Sequence, residues 1–260
     1  MNVLKNYLEL TKPKVVLMML ITAIVGMLLA SKTLPSIYLV IISMIGIGLC
    51  ASSAATINQI IDRNIDANMA RTSNRPLPQG EITTFIASIF ALALMGAGRA
   101  ILVSQVNTLT AVLTVASLIG YAFIYTVFLK RATPQNIVIG GAAGALPPVI
   151  GWTIATNSLS LEPLTFFLII FFWTPSHFWA LSLYKSSDYK KAKIPMLPII
   201  SGTKTTKVNI LFYALMMLPA IIAPYFLNFA SVFYLAISSM MSAYYVYLCL
   251  RLYRSKIASI

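Results

Sequence analysis

Long apolar runs constrain this chain more than any other feature. Stretches of about twenty mostly apolar residues, the length a helix needs to cross a bilayer, fall at about 14–31, 36–57, 82–103, 107–129, 135–156, 163–184, 208–227 and 229–250. They predict eight spans. Only 10% of the 260 residues are charged, well below the ~25% of a soluble domain. The runs are continuous rather than alternating polar and apolar, which excludes a transmembrane barrel. The expected fold class is therefore all-α, a polytopic transmembrane helix bundle. No linker interrupts the pattern, so residues 1–260 are expected to form a single integral-membrane domain.

The basic residues orient the bundle. Lys5, Lys12 and Lys14 precede the first span, and Arg63, Arg71 and Arg75 follow the second. Lys130 and Arg131 follow the fourth, six lysines follow the sixth, and Arg251, Arg254 and Lys256 lie in the tail. These make 17 of the 19 basic residues, leaving only Lys32 and Arg99. Basic loops stay in the cytoplasm, so both termini and the polar loops at 58–80 and 185–207 are expected on that side. Two polar segments on one membrane face can close over one cavity. In a soluble chain a net charge of +13 would raise nucleic acid as a partner. Here the orientation rule accounts for it, and no nucleic acid is expected. Cys50 and Cys249 lie in apolar segments without paired spacing and identify no redox compartment. The lysines before the first apolar run look like a signal peptide, but further spans follow, so the run reads as a retained first helix. No Arg-rich, Ser-rich transit segment precedes it, which favours a bacterial inner membrane over an organelle.

The polar segment NQIIDRNIDANMARTSNRPLPQG, residues 58–80, carries the chemistry. Nothing breaks the second span before Met69, so its helix is expected to continue through Asn58, Asp62 and Asp66. Their i, i+4, i+8 spacing stacks them near one helical face, drifting about 40° per step over about 12 Å. Oxygen ligands so placed suit magnesium, which takes one or two carboxylates and leaves other positions to water and substrate phosphates. Arg71 and Arg75 follow, and guanidinium forks match phosphate oxygens. The proposal is a site for a lipid diphosphate; the alternative is a solvated loop whose charges serve only topology.

A second segment, ALSLYKSSDYKKAKIPMLPIISG, has Asp188 as its only acid, among Tyr184, Lys185, Tyr189, Lys190, Lys191 and Lys193. It reads either as a second phosphate site or, for the last three lysines especially, as a topology signal. His177, the only histidine, lies in the sixth span within WTPSHFW, just after Pro175, which is expected to disturb that helix. It can ligate haem iron, act as a base near neutrality, or tune a helix contact by a hydrogen bond. The aromatics Phe166, Phe167, Phe171, Phe172, Trp173, Phe178 and Trp179 can line a cavity for a flat ring or face lipid and neighbouring helices. In the fifth span, GGAAGALPP at 140–148 predicts a kinked helix with close neighbours.

Taken together, YLELTKPKVV (7–16), NQIIDRNIDANMARTSNRPLP (58–78), LKRATPQNIVIGGAAGALPPVIGW (129–152) and FFWTPSHFWALSLYKSSDYKKAKIPMLP (171–198) resemble the intramembrane prenyltransferases of the UbiA superfamily. The NxxxDxxxD element alone is similar to the whole superfamily. The MxRTxxRPLP, TPxNIVIGGAAGA and PxHFWAL…DYxxAxIPMLP runs resemble its haem-modifying branch.

That resemblance implies a UbiA-like helical bundle around a cavity open to lipid. It implies magnesium as cofactor, farnesyl diphosphate and haem B as substrates, and membrane lipid around them. Asn58, Asp62 and Asp66 match the metal–diphosphate motif, and Arg71 and Arg75 the arginines after it. His177 matches the histidine of the sixth-span motif. Asp188, a further metal-ligand candidate, and Tyr189 match the second polar motif. Lys130 and Arg131 match a basic pair in the next cytoplasmic loop and are candidate diphosphate contacts, and Lys185, read from its place beside Asp188, joins them as a substrate-binding candidate. The catalytic candidates are thus Asp62, Asp66, Arg71, Arg75 and His177. The implied reaction joins a farnesyl group to a haem vinyl group, and contact with a haem-modifying enzyme or a terminal oxidase assembly goes with it. The alternatives are a relative that prenylates an aromatic or quinone precursor, and a haem-carrying assembly factor or a transporter. Two departures stand out: the superfamily usually has nine spans against the eight counted here, and the second motif has one aspartate where aromatic prenyltransferases tend to have two.

Overall fold

A computed structural model describes residues 3–31, 33–129, 133–184 and 195–255. Every regular element among them is helical. A short helix, α1 (Val3–Thr11), leads into α2 (Pro13–Ala30) through Lys12. Lys12 takes left-handed backbone angles, φ 49° and ψ 60°, uncommon for a residue with a side chain. Pro13 opens α2 in the first turn, where its missing N–H costs no helical bond.

α3 (Ile37–Ala67) is capped by Ser36, whose hydroxyl accepts from the Leu39 N–H at 3.2 Å. It continues through Asn58, Asp62 and Asp66, as its unbroken helix-compatible sequence predicts. Thr83 caps α4 (Thr84–Gln105), and Asn107 caps α5 (Thr108–Ile119). α5 passes directly into a π-helical stretch, Gly120–Leu129. The fifth span is two helices, α6 (Asn136–Ala145) and α7 (Pro147–Thr156). Pro147 and Pro148 lack the N–H groups that would join them, and the helix is interrupted at Leu146.

α8 (Glu162–Tyr184) runs through Pro175 without a break, although proline removes the bond to the Phe171 carbonyl. α9 (Leu197–Phe226) begins about ten residues before the expected seventh span. The polar composition of 197–207 conceals a helix start: Pro198 lies in the first turn, and the kink waits until Gly202, at φ 78°. α10 is Val232–Arg254. Eight helical stretches among the described residues are long and apolar enough to cross a membrane.

Packing groups the chain into two compact units, Met1–Phe128 with Leu146–Leu159, and Leu129–Ala145 with Ser160–Ile260. In the first, α2 lies backbone-close to α7. A Cβ on Gly26 would overlap the Pro148 backbone, and one on Gly151 would overlap that of Ala23. Gly98 of α4 sits equally close to Gly46 and Cys50 of α3. Ala23, Met27, Ile47, Cys50, Leu102 and Leu118 fill the space between. Lipid tails are as apolar as these side chains, so such contact by small residues, rather than hydrophobic burial, holds membrane helices together. Hydroxyls and amides tie the ends: Ser53 donates to the Ala91 carbonyl at 2.7 Å, and Asn107 Nδ2 to the Thr153 carbonyl at 2.9 Å.

In the second unit, Trp179 of α8 is fully buried, edge-on to Tyr213 of α9 at 5.4 Å. Tyr245 of α10 donates to Ser176 of α8 at 2.9 Å, and Ser176 to the Ile210 carbonyl of α9 at 3.1 Å. Gly141 of α6 rests against the Thr174 methyl group. Lys207 donates to the Ser255 carbonyl at 2.8 Å, neutralising the C-terminal end of α10. Outward side chains such as Leu17, Met18, Phe85, Phe212 and Met240 are large, apolar and exposed. The chain is a multi-pass membrane protein.

Candidate active site

The C-terminal end of α3 gathers the polar residues of the first unit. Asn58, Asp62 and Asp66 are all buried, with at most 4% of their surface exposed. Their stacking on one face is direct: Asn58 Nδ2 donates to Asp62 Oδ2 at 3.0 Å, one turn on. Arg75 Nη1 lies 2.6 Å from Asp66 Oδ2. The loop that returns Arg75 is built from successive turns. Thr72 donates its hydroxyl to the Asp66 carbonyl at 3.0 Å, Ser73 N–H reaches the Met69 carbonyl, and Arg75 N–H the Thr72 carbonyl. Buried Met69 and Leu77 anchor it, Leu77 packing with Leu10, Ile82 and Ala87. Arg71 is exposed on the same loop.

Two neighbours of the motif escape a reading of the sequence by composition. Lys12 Nζ donates to Asn58 Oδ1 at 2.5 Å. Its place is set by Gln59, whose Nε2 donates to the Glu9 and Leu10 carbonyls at 2.9 and 3.0 Å, groups that the end of α1 leaves without helical partners. Thr126, fully buried in the π-helical stretch, accepts from Asn58 Nδ2 at 3.2 Å. The available signals were a lysine fixed before a proline and a lone threonine within FIYTVFL.

The oxygens of Asp62 and Asp66 and Asn58 Oδ1 are hard donors carrying two negative charges, a set that fits magnesium. Among the described residues no group of three or more His, Cys, Asp or Glu gathers as an all-protein metal cage. Magnesium habitually completes its shell with water and substrate phosphate. The flanking cations, Lys12 and Arg75, suit an anionic ligand.

His177 belongs to the second unit. Its ring is exposed on α8 and stacked on Trp173 at 4.4 Å and 17°. Of the aromatic run, Trp179 is core, Phe166, Phe167, Phe171 and Phe172 are half-buried, and Trp173 and Phe178 are exposed. Lys130, Arg131, Lys185, Asp188, Tyr189, Lys190, Lys191 and Lys193 lie outside the described residues.

The sequence model of the UbiA prenyltransferase family matches residues 19–259. The chain is 52% identical to a protoheme IX farnesyltransferase of Pelagibacter ubique over 250 residues, 96% of this chain and 82% of that one. Among solved structures it is similar to a digeranylgeranylglyceryl phosphate synthase, with a TM-score of 0.82 at 22% identity, covering 97% of this chain and 88% of the other. It is also similar to a UbiA homologue from Archaeoglobus fulgidus bound to DMAPP and Mg2+, with a TM-score of 0.78 at 18% identity, covering 98% and 89%.

Proposed function

The chain belongs to the UbiA prenyltransferase family, and from that premise we propose that it transfers the farnesyl group of farnesyl diphosphate to a vinyl group of haem B. The products are hydroxyethylfarnesyl haem (haem O) and diphosphate. One observation carries this reading: a chain half-identical to a protoheme IX farnesyltransferase buries two carboxylates one helical turn apart, with Arg75 against Asp66 and Lys12 against the adjoining Asn58.

Asp62 and Asp66, with Asn58 beside them and Asp188 from the second polar segment, are assigned to hold magnesium and through it the diphosphate. Bound there, magnesium supplies the Lewis acidity that takes up charge on the departing diphosphate. Lys12, Arg71 and Arg75, together with Lys130, Arg131 and Lys185, neutralise the remaining phosphate charge. Cations fixed before the reaction stabilise the leaving group most as the allylic C–O bond breaks, which is what lowers the barrier. The vinyl carbon then forms the new C–C bond, and water adds to the resulting cation with loss of a proton. Apolar and aromatic walls keep other water away from the farnesyl cation. His177 is assigned to position haem B or to handle that proton, and Tyr189 to contact substrate.

Residues 1–260 act as one domain in this account. The enzyme lies in a bacterial inner membrane with both termini and the motif-bearing loops in the cytoplasm, where 17 of its 19 basic residues belong. Its product is handed to a further haem-modifying enzyme or a terminal oxidase assembly.

The test is turnover by the purified protein in liposomes with haem B, farnesyl diphosphate and magnesium, the pigment analysed by mass. The expected result is a gain of one farnesyl group and one hydroxyl group, lost on chelation of magnesium. Prenylation of a hydroxylated aromatic acid instead of haem would replace the acceptor. Haem binding without consumption of farnesyl diphosphate would replace the enzyme with a carrier.

A further inference from the structure

Thr126 sits where the fourth span leaves α-helical register. A threonine hydroxyl in an α-helix ordinarily donates to the carbonyl three or four residues back. Here Thr126 Oγ1 donates to the Tyr121 carbonyl, five residues back, at 2.8 Å, as the π-helical stretch Gly120–Leu129 allows. A hydroxyl has one proton. With that proton given to Tyr121, Thr126 meets Asn58 only as an acceptor, taking the Nδ2 hydrogen at 3.2 Å.

Each contact of the Asn58 amide then has a fixed polarity. Nδ2 gives its hydrogens to Asp62 Oδ2 and Thr126 Oγ1, and Oδ1 receives Lys12 Nζ. Reversed, the amide would set oxygen against the Asp62 carboxylate and nitrogen against the Lys12 ammonium. Two of the three partners are charged groups that a diphosphate and its cation engage. Thr126 is neutral, fully buried and tied to a backbone carbonyl.

We propose that Thr126 is a positioning residue that keeps Asn58 in place while Lys12 and Asp62 turn to the diphosphate and its cation. The π-helical register of the fourth span is what gives it that role. This inference rests on residues 58–80 being a diphosphate–cation site.

The test uses the full chain in detergent, with Mn2+ and inorganic diphosphate as probes and free Mn2+ followed by its paramagnetic resonance signal. Thr126→Val removes the hydroxyl at nearly constant volume and leaves a buried N–H unmet, so half-saturation by Mn2+ should weaken roughly tenfold. Thr126→Ser keeps the hydroxyl and should stay within about twofold of wild type. In an Asn58→Ala background, Thr126→Val should add no further loss, because residues acting through one contact do not add. Where the valine variant does not accumulate, Thr126→Ala removes the same hydroxyl without crowding the turn. Unchanged Mn2+ binding in the variant, or a full additional loss beside Asn58→Ala, overturns the proposal. Wild-type protein that takes up no Mn2+ with diphosphate overturns the site assignment itself, and that result is distinct because no variant enters it.

Discussion

Arg75 reaches back nine residues to place Nη1 2.6 Å from Asp66 Oδ2, so a cation suited to phosphate rests on a carboxylate suited to metal. The Asp66 side chain is 6% exposed and that of Arg75 27%. Removing the guanidinium would strand a nearly buried negative charge. Arg75→Ala should cost about 3 kcal/mol of stability, at the low end for a buried pair because Arg75 keeps some water. It should also lower turnover by about 100-fold through lost charge stabilisation at the leaving group. Arg75→Lys restores the charge but not the planar fork, and should recover stability more fully than turnover. Thermal unfolding in detergent and product mass measure the two effects separately.

Asp62 makes the complementary case. It is 2% exposed and takes a hydrogen bond from Asn58 along the helix. Asp62→Ala should abolish turnover while the protein still accumulates folded in membranes, since the long helix α3 does not depend on this side chain. A variant keeping most of its activity would sink the metal-ligand role.

His177 should separate function from stability, which Arg75→Ala loses together. Its ring is exposed and touches its own unit mainly by stacking on Trp173, so His177→Ala should change stability by about 0.5 kcal/mol or less. Haem B affinity, read from absorbance titration, or turnover should fall on the order of tenfold or more. If both stay at wild-type values, the histidine has no part in the reaction.

Most of the fold is legible in the sequence because hydropathy in a bilayer is nearly a length measurement. Runs such as 36–57 and 107–129 admit little besides helices. The continuation of α3 through Asn58–Asp66 is legible for a related reason: no glycine or proline stands between Ala51 and Met69. What escapes is whatever depends on a single backbone departure. The early start of α9 hides in 197–207, where Pro198 opens the helix and Gly202 alone takes positive φ. Lys12 counts equally as a topology lysine until its left-handed turn aims it at Asn58. Thr126 is one hydroxyl in an apolar run until the π-helical stretch brings it to the same amide. Ligand types follow composition and spacing, whereas their supporting contacts follow local breaks in helical register.

Close backbone packing in the first unit yields the last prediction. Gly26 of α2 and Gly151 of α7 interlock, each with the other helix's backbone where its own Cβ would be. Backbone cannot swing aside as a side chain can. Gly151→Ala therefore has to push α2 away from α7, losing the van der Waals contact that holds helices together when lipid competes for their apolar faces. The cost should reach about 3 kcal/mol, the upper part of the usual range for overpacking, and Gly26→Ala should behave alike. Gly96→Ala is the control: nothing lies within 4 Å of its added carbon, and alanine is the better helix former by about 1 kcal/mol, so that variant should be neutral or slightly more stable. Thermal unfolding of the three variants in one detergent decides the matter. If Gly151→Ala matches Gly96→Ala, the interlocking of α2 with α7 is looser than these contacts require.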